Sequence, residues 1–517
     1  MNEEKFSALV ERLEDYAQEQ PTSYKVRVGL LAALGYAYIF TVVAILLLVV
    51  ATVLVYVRFN WFVIKLLWIP LVLVGVALKS LWVSFPEPEG LHLNHEDAPA
   101  LFDLVREIEG AVQSPHVHHI LLTDEFNAAV VQLPRLGFFG WQKNYLLVGL
   151  PLMQALSPEQ FRAVIAHELG HLSGAHSRFA GWIYRVRQTW IQLVTRLHAE
   201  GRYGSFIFER FLDWYAPFFN AYSFVLARRQ EYEADARAAE LAGREHAAQA
   251  LINLELKGRF ISEDFWPKFY RQAGAVAEPP PDVFTRFVSA MRQGLSQDVA
   301  RKWFLQGMAV QTGYEDTHPS LAARLAAMGY SVSPSQENAY QEQLLSSTIA
   351  GEENAAQFYL RVPVIDSFQS SRNRWWREQI GQAWRERYRT VQEAQKRLLK
   401  LEEKEATEKL TPDEEWELVG CLAETQGAEA TLPRLRRILD AEPNHVRANF
   451  ALGQILLEQD DETGLKYLEK AMALEKETLL PGCQLIYLFL KGRGSDTEAE
   501  QYRLRVVEHF KTMQATA

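Results

Sequence analysis

Ala166-His167-Glu168-Leu169-Gly170-His171 (AHELGH) is the stretch on which the reading of this chain turns. On an α-helix, residues i and i+4 lie on one face, so His167 and His171 reach a single ion together. Glu168 stands beside the first of them, where a carboxylate can take a proton from a metal-activated water. The residues just before it predict a helix start. Ser157 can cap, Pro158 suits the first turn, and Gln160 completes a capping box. Phe161, Val164, Ile165 and Leu172 then supply apolar positions for packing.

Two histidines are too few, because a catalytic zinc ion takes three protein ligands and leaves one position open. His176 follows closely, but on helix geometry it is turned away from the His167/His171 face. It is expected to stand behind the ligands rather than among them. Arg229-Gln230-Glu231-Tyr232-Glu233-Ala234-Asp235 offers more. Glu231 and Asp235 are four apart and share a helical face. Glu231 can close the metal site, and Asp235 can accept the free ring N–H of a ligating histidine and so fix its tautomer.

Upstream of this helix, a helix is expected near 98–112 and strands over His119–Thr123 and Asn127–Gln132. Leu133-Pro134-Arg135-Leu136-Gly137 reads as a turn, and Tyr145–Val148 as a returning strand. An exposed edge at Asn127 and Ala128 is suited to pairing with an extended peptide. Downstream, residues 178–274 read as helical. Phe206–Leu226 is aromatic but holds Glu209, Arg210 and Asp213, so it is expected to be a core or interfacial helix rather than a membrane span.

Gly29–Val57 contains no charged residue, which at about 1.5 Å per residue exceeds the roughly 30 Å apolar thickness of a bilayer. A second apolar run, Trp61–Trp82, has Lys65 and Lys79 inside its ends, where they can snorkel. Together they read as a transmembrane hairpin over 28–85, behind an N-terminal tail, 1–27, that lacks the pattern of a cleavable signal peptide. The flanking lysines and arginines lean slightly towards a cytoplasmic N-terminus and soluble part. The 517 residues carry a net charge of -10 and no basic run, which speaks against nucleic acid as a partner. Two cysteines, Cys421 and Cys483, give neither a disulfide framework nor a thiolate metal site.

Beyond a Pro-rich loop at Glu278–Pro281, residues 346–410 form a linker and a charged connecting helix. Residues 411–517 read as a helical repeat module. Asn449-Phe450-Ala451-Leu452-Gly453, then Gly464, Leu468, Ala471 and Leu474, follow the tetratricopeptide order, with small residues where two helices must approach.

The segment from about 95 to 330 resembles the gluzincin peptidases of the CAAX prenyl endopeptidase and HtpX type. The likeness rests on AHELGH with His176 behind it, on EYEAD (231–235) about sixty residues later, on Thr317-His318-Pro319-Ser320 with Arg324, and on Phe126-Asn127-Ala128. It implies one Zn2+ per chain on His167, His171 and Glu231, with Glu168 as general base. It implies that His318 and Arg324 approach the metal or the substrate oxyanion; the bland alternative is that Thr317-His318-Pro319 simply starts a helix. It further implies endopeptidase activity on peptide or protein substrates, and attachment to a lipid membrane, here a bacterial inner membrane. Unlike HtpX-type relatives, this chain is charged between the metal helix and the third ligand. The expected architecture is mainly α with a small β-sheet: a membrane hairpin, a zincin-type peptidase domain over 90–345, and repeats that recruit protein partners. The rival is a non-catalytic or chaperone-like adaptor, against which the presence of Glu168 speaks.

Overall fold

The computed structural model of the chain describes residues 3–56, 67–81, 87–134, 142–172, 206–293, 295–310, 318–330 and 354–516, together with Phe179, Trp182, Ile183, Val186 and Trp190. Among the described residues the protein is mainly helical, with one four-stranded mixed sheet. The chain divides into two compact units. The first comprises Met1–Pro267 and Pro281–Trp375, the second Lys268–Pro280 and Trp376–Ala517.

The first unit begins with helices α1 (Glu3–Glu19), α2 (Pro21–Tyr56) and α3 (Trp68–Leu81). The sequence reading gives 1–27 as a tail, but α1 is packed: Val10, Leu13 and Ala17, spaced three and four apart, are buried. Its polar composition hides this narrow stripe. Among the described residues, α2 is the one helix long and apolar enough to cross a membrane. The described part of the second apolar run is the 14-residue α3, which packs on α2.

Strands β1 (Leu91–Leu93), β2 (His119–Thr123), β3 (Ala128–Pro134) and β4 (Gln142–Gly149) lie in the order β1-β2-β4-β3. The β2/β4 pair is parallel and the outer pairs are antiparallel, which leaves β3 at an edge. Central β2 carries three consecutive apolar residues, Ile120–Leu122, all buried, as expected of a strand covered on both faces. The second expected strand starts at Ala128 and continues through Pro134, so Leu133 and Pro134 belong to it. Residues 135–137 of the expected turn lie outside the described residues. Strand β1, three residues long, gives no sequence signal. Helix α4 (Pro99–Val112) covers the sheet with Leu101, Leu104, Val105 and Ile108.

Helices α5 (Leu150–Ala155) and α6 (Pro158–Leu172) follow. The start of α6 is a reciprocal cap: Gln160 N donates to Ser157 Oγ (3.2 Å) and Ser157 N to Gln160 Oε1 (3.3 Å). Phe161, Ile165, Ala166 and Leu169 bury it in the core. The turn into α5 depends on Gly149, whose N–H donates to Asn127 O at 2.9 Å. A Cβ at Gly149 would stand 1.8 Å from Glu125 O, a backbone atom that cannot step aside. Gly149→Ala is therefore expected to destabilise the fold by about 3 kcal/mol or more, read as a lowered midpoint in thermal denaturation.

Helix α7 (Phe206–Ala242) runs antiparallel to α2. Tyr24 Oη donates to Tyr222 O (2.5 Å), Tyr215 Oη to Leu31 O (3.1 Å), and the Tyr38 ring stacks on Phe211 with centroids 3.8 Å apart. The aromatic stretch 206–226 is thus the first half of α7, with Phe208, Tyr215, Phe219 and Phe224 buried and Trp214 exposed. Glu14 of α1 pairs with Arg228 at 2.6 Å. Helices α8 (Arg244–Arg259), α9 (Trp266–Arg271), α10 (Val283–Gln293), α11 (Gln297–Ala309), α12 (Leu321–Ala327) and α13 (Ala355–Tyr359) follow. Helix α14 (Val362–Glu405) begins in the first unit and ends in the second.

In the second unit, the short piece Lys268–Pro280 packs on the later part of α14. Trp384 Nε1 donates to Val276 O (2.8 Å), Gln392 Nε2 donates to Gly274 O (3.0 Å), and Phe269 meets Trp376 and Trp384 edge-on. Leu398 and Leu401 cluster with Leu410, Leu418 and Leu422, so the boundary expected at 410/411 falls inside a continuous core. Helices α15 (Pro412–Gln426), α16 (Leu432–Ala441), α17 (Val446–Glu458), α18 (Thr463–Leu474), α19 (Leu479–Gly492) and α20 (Asp496–Thr516) complete it. Helices α17 and α18 meet at Gly453 and Gly464. A Cβ on either would lie 2.9 or 2.5 Å from the other's carbonyl oxygen.

Candidate metal centre

Helix α6 brings His167, Glu168 and His171 to its one face that is not packed into the core, and α7 lies across it with Gly170 facing Ala234. This crossing sets Glu231 against the two imidazoles. His167 Nε2 and His171 Nε2 are 3.2 Å apart; Glu231 Oε2 is 3.6 Å from the first, and Glu231 Oε1 is 3.4 Å from the second. Donors held tetrahedrally at about 2.0–2.1 Å from a zinc ion stand roughly 3.3 Å from one another. The three donors therefore fit one ion, and they form a metal-holding group among the described residues. Glu231 Oε2 is buried without a hydrogen bond of good geometry, although His318 Nδ1 lies 3.0 Å away.

The surroundings prepare these groups as ligands. Asp235 Oδ1 accepts from His167 Nδ1 at 2.9 Å, which leaves Nε2 to face the other donors. Arg324 of α12 grips the same carboxylate with two bonds, Nη2 to Oδ1 at 2.6 Å and Nε to Oδ2 at 2.8 Å. Burial alone would raise Asp235, but the hydrogen bonds from Arg324 and His167 outweigh it and hold the carboxyl at about 2. Burial, with His167 beside it, pushes His171 down to about 4, so the ring is neutral, the form that ligates metals. Burial also pushes Glu231 up, but His318, His171 and His167 overcome this and lower it. Glu168 is raised, chiefly by burial, and so becomes a better proton acceptor than a solvated carboxylate.

The structure thus brings His167, Glu168, His171, Glu231, Asp235, His318 and Arg324 together. His318 is largely exposed and touches Glu231; Arg324 acts through Asp235. Asn127 and Ala128 stand at the start of β3 but outside this group of side chains: Asn127 O is taken by Gly149 N, and Ala128 is buried opposite Val148. His176 lies outside the described residues. Sequence reasoning misses Val130, whose backbone N–H donates to the Glu168 carboxylate from edge strand β3. Only the reading of a strand near 127–132 points towards it.

An H-E-x-x-H helix crossed by a second helix that supplies a glutamate defines the gluzincin class of metal site. Residues 107–332 match the profile of peptidase family M48. This stretch, which holds the metal-site residues His167, His171 and Glu231, is similar to M48 peptidases. The chain is similar to Protease HtpX of Acinetobacter baylyi, 26% identical over 227 residues that cover 39% of this chain and 66% of that protein. It is also similar to Protease HtpX of a Psychrobacter species, 28% identical over 149 residues that cover 24% of this chain and 49% of that protein. The chain therefore spans about half to just under two thirds of the length of these relatives. The crystal structure of S. mikatae Ste24p aligns with a TM-score of 0.27 and 16% identity, covering 60% of this chain and 67% of that one.

Proposed function

We propose that this protein is a membrane-anchored, zinc-dependent endopeptidase that hydrolyses peptide bonds in membrane or misfolded proteins. The observation that carries the reading is the convergence of three donors, two half-buried imidazoles and one buried carboxylate, 3.2–3.6 Å apart, on one point next to Glu168, a carboxylate that is not needed to hold the ion. His167, His171 and Glu231 would hold one Zn2+. When bound, zinc supplies Lewis acidity, polarising the scissile carbonyl and acidifying water.

The chain's own groups do the rest. Glu168 takes a proton from the attacking water and returns it to the leaving amine. Asp235 and Arg324 keep His167 in one tautomer. Exposed His318, raised by the Glu231 carboxylate beside it, can donate to oxygen in the transition state. Edge strand β3, which touches Glu168 through Val130, can pair with an extended substrate and lay its backbone along the site. Helix α2 anchors the domain in a membrane, with the catalytic part in the cytoplasm. Residues 411–517 act as a tetratricopeptide-like recruiting module.

Metal removal tests the reading. Purified protein incubated with a chelator is expected to lose hydrolysis of an unstructured peptide library and to regain it with one equivalent of Zn2+. Mass-spectrometric mapping of the cut sites is the measurement. Activity that survives complete metal removal would refute the assignment.

A further inference from the structure

The contacts between α2 and α7 hold a fixed register, which fixes the distance of the metal centre from the apolar part of α2. Tyr24 lies level with Tyr222, Leu31 with Tyr215, and Tyr38 with Phe208 and Phe211. The helices are antiparallel, so each step up α2 matches a step down α7. Two features place the edge of the apolar slab on this scale. Lys25 and Arg27 of α2, level with α7 near residue 220, lie outside it. So do Arg210 and Asp213, both exposed on α7 and level with α2 near Tyr36 and Ala33. The residues of α2 beyond Tyr36, Ala37–Tyr56, then span about 30 Å at roughly 1.5 Å per residue, the thickness of the hydrocarbon core.

Helix α7 continues without a break in the other direction to Glu231. Glu231 is twenty-one residues past Arg210, about 30 Å along the axis. Pro217 lies on the way; a kink of ordinary size there, about 25°, shortens the projection by only about a tenth. Even if the slab began at Gly29, level with residue 217, the remaining height would be about 20 Å.

We propose that α7 is a spacer that fixes where a polypeptide anchored in the same bilayer can be cut: the scissile bond must lie far enough from its span to climb 20–30 Å. This rests on the peptidase reading above and assigns it a substrate class, namely long cytosolic tails and loops of membrane proteins, with bonds inside or at the rim of the bilayer excluded. A polyproline-type chain rises about 3.1 Å per residue, so the shortest usable spacer is about 7–10 residues. A peptide free in solution carries no such limit.

The test uses the full-length protein in liposomes. A cassette found to be cut as a free peptide is fused to a single apolar span through stiff proline-rich spacers that place the scissile bond 2, 5, 8, 12 and 16 residues from the last apolar residue. Cleavage is expected to be at least tenfold slower at 2 and 5 than at 12 and 16, with the step between. Equal rates at 2 and 16 would overturn the spacer while leaving the peptidase intact. The free cassette, run with wild type and with Glu168→Gln, separates the two ideas. If no free peptide of a broad library is cut by wild type, or if Glu168→Gln cuts the free cassette as fast as wild type, the peptidase reading fails and the spacer falls with it.

Discussion

Glu168→Gln is expected to leave a folded, metal-loaded protein that hydrolyses peptides about 10²–10⁴-fold more slowly than wild type, the usual scale for a lost general acid–base group. The side chain keeps its size, its place on α6 and its capacity to accept from Val130 N–H. Zinc content and thermal midpoint should therefore stay near wild type. The loss comes from the missing proton acceptor alone. The contrast also discriminates against the adaptor alternative, for which neither form would cut and both would bind partners equally. Single-turnover cleavage, metal analysis and thermal denaturation on the same preparations provide the comparison. A Glu168→Gln protein as active as wild type would remove this residue from the chemistry.

Glu231→Ala is expected to strip the metal. Two imidazoles 3.2 Å apart would remain, without the carboxylate that closes the set and balances the ion's charge. Zinc affinity should fall by several orders of magnitude and hydrolysis with it. Asp235→Ala should act more gently, in the range of 10–100-fold on affinity, because it loosens His167 without removing a donor. His176→Ala should keep most of the metal. Titration of each purified variant with Zn2+ against a competing chelator ranks the three. A fully loaded Glu231→Ala beside a metal-free His176→Ala would overturn the choice of third ligand.

Some of this arrangement is legible in the sequence because side-chain spacing carries it. The i, i+4 pairs His167/His171 and Glu231/Asp235 each declare a helical face, and Ser157 with Gln160 declares where α6 begins. The strand-like runs His119–Thr123 and Tyr145–Val148 announce β2 and β4. What stays hidden is carried by backbone groups or by contacts distant in sequence. Val130 contributes an N–H that any residue would supply. The role of Arg324 depends on α12 meeting α7, 89 residues away in the chain. Helix α1 is hidden because its three buried residues are diluted by acidic ones, and β1 is too short to show a period. The packing of Lys268–Pro280 on α14 leaves no local trace, since a Trp Nε1–H bonded to a distant carbonyl has no pattern along the chain.

That last piece changes what inheritance can do with this protein. A module added by fusing one gene to the end of another joins its neighbour at a single point. Here the chain passes between the two compact units three times, at 267/268, 280/281 and 375/376. The partners of Gly274 and Val276 lie in helix residues more than a hundred positions later. A recombination event that exchanged the tail at 410/411 would cut the Leu398–Leu422 cluster in two. One that exchanged it at 376 would uncover Phe269. Whole-tail shuffling is thus penalised at both natural breakpoints. An exchange that preserves these contacts must carry residues 268–280 and the helices after 376 together as one unit.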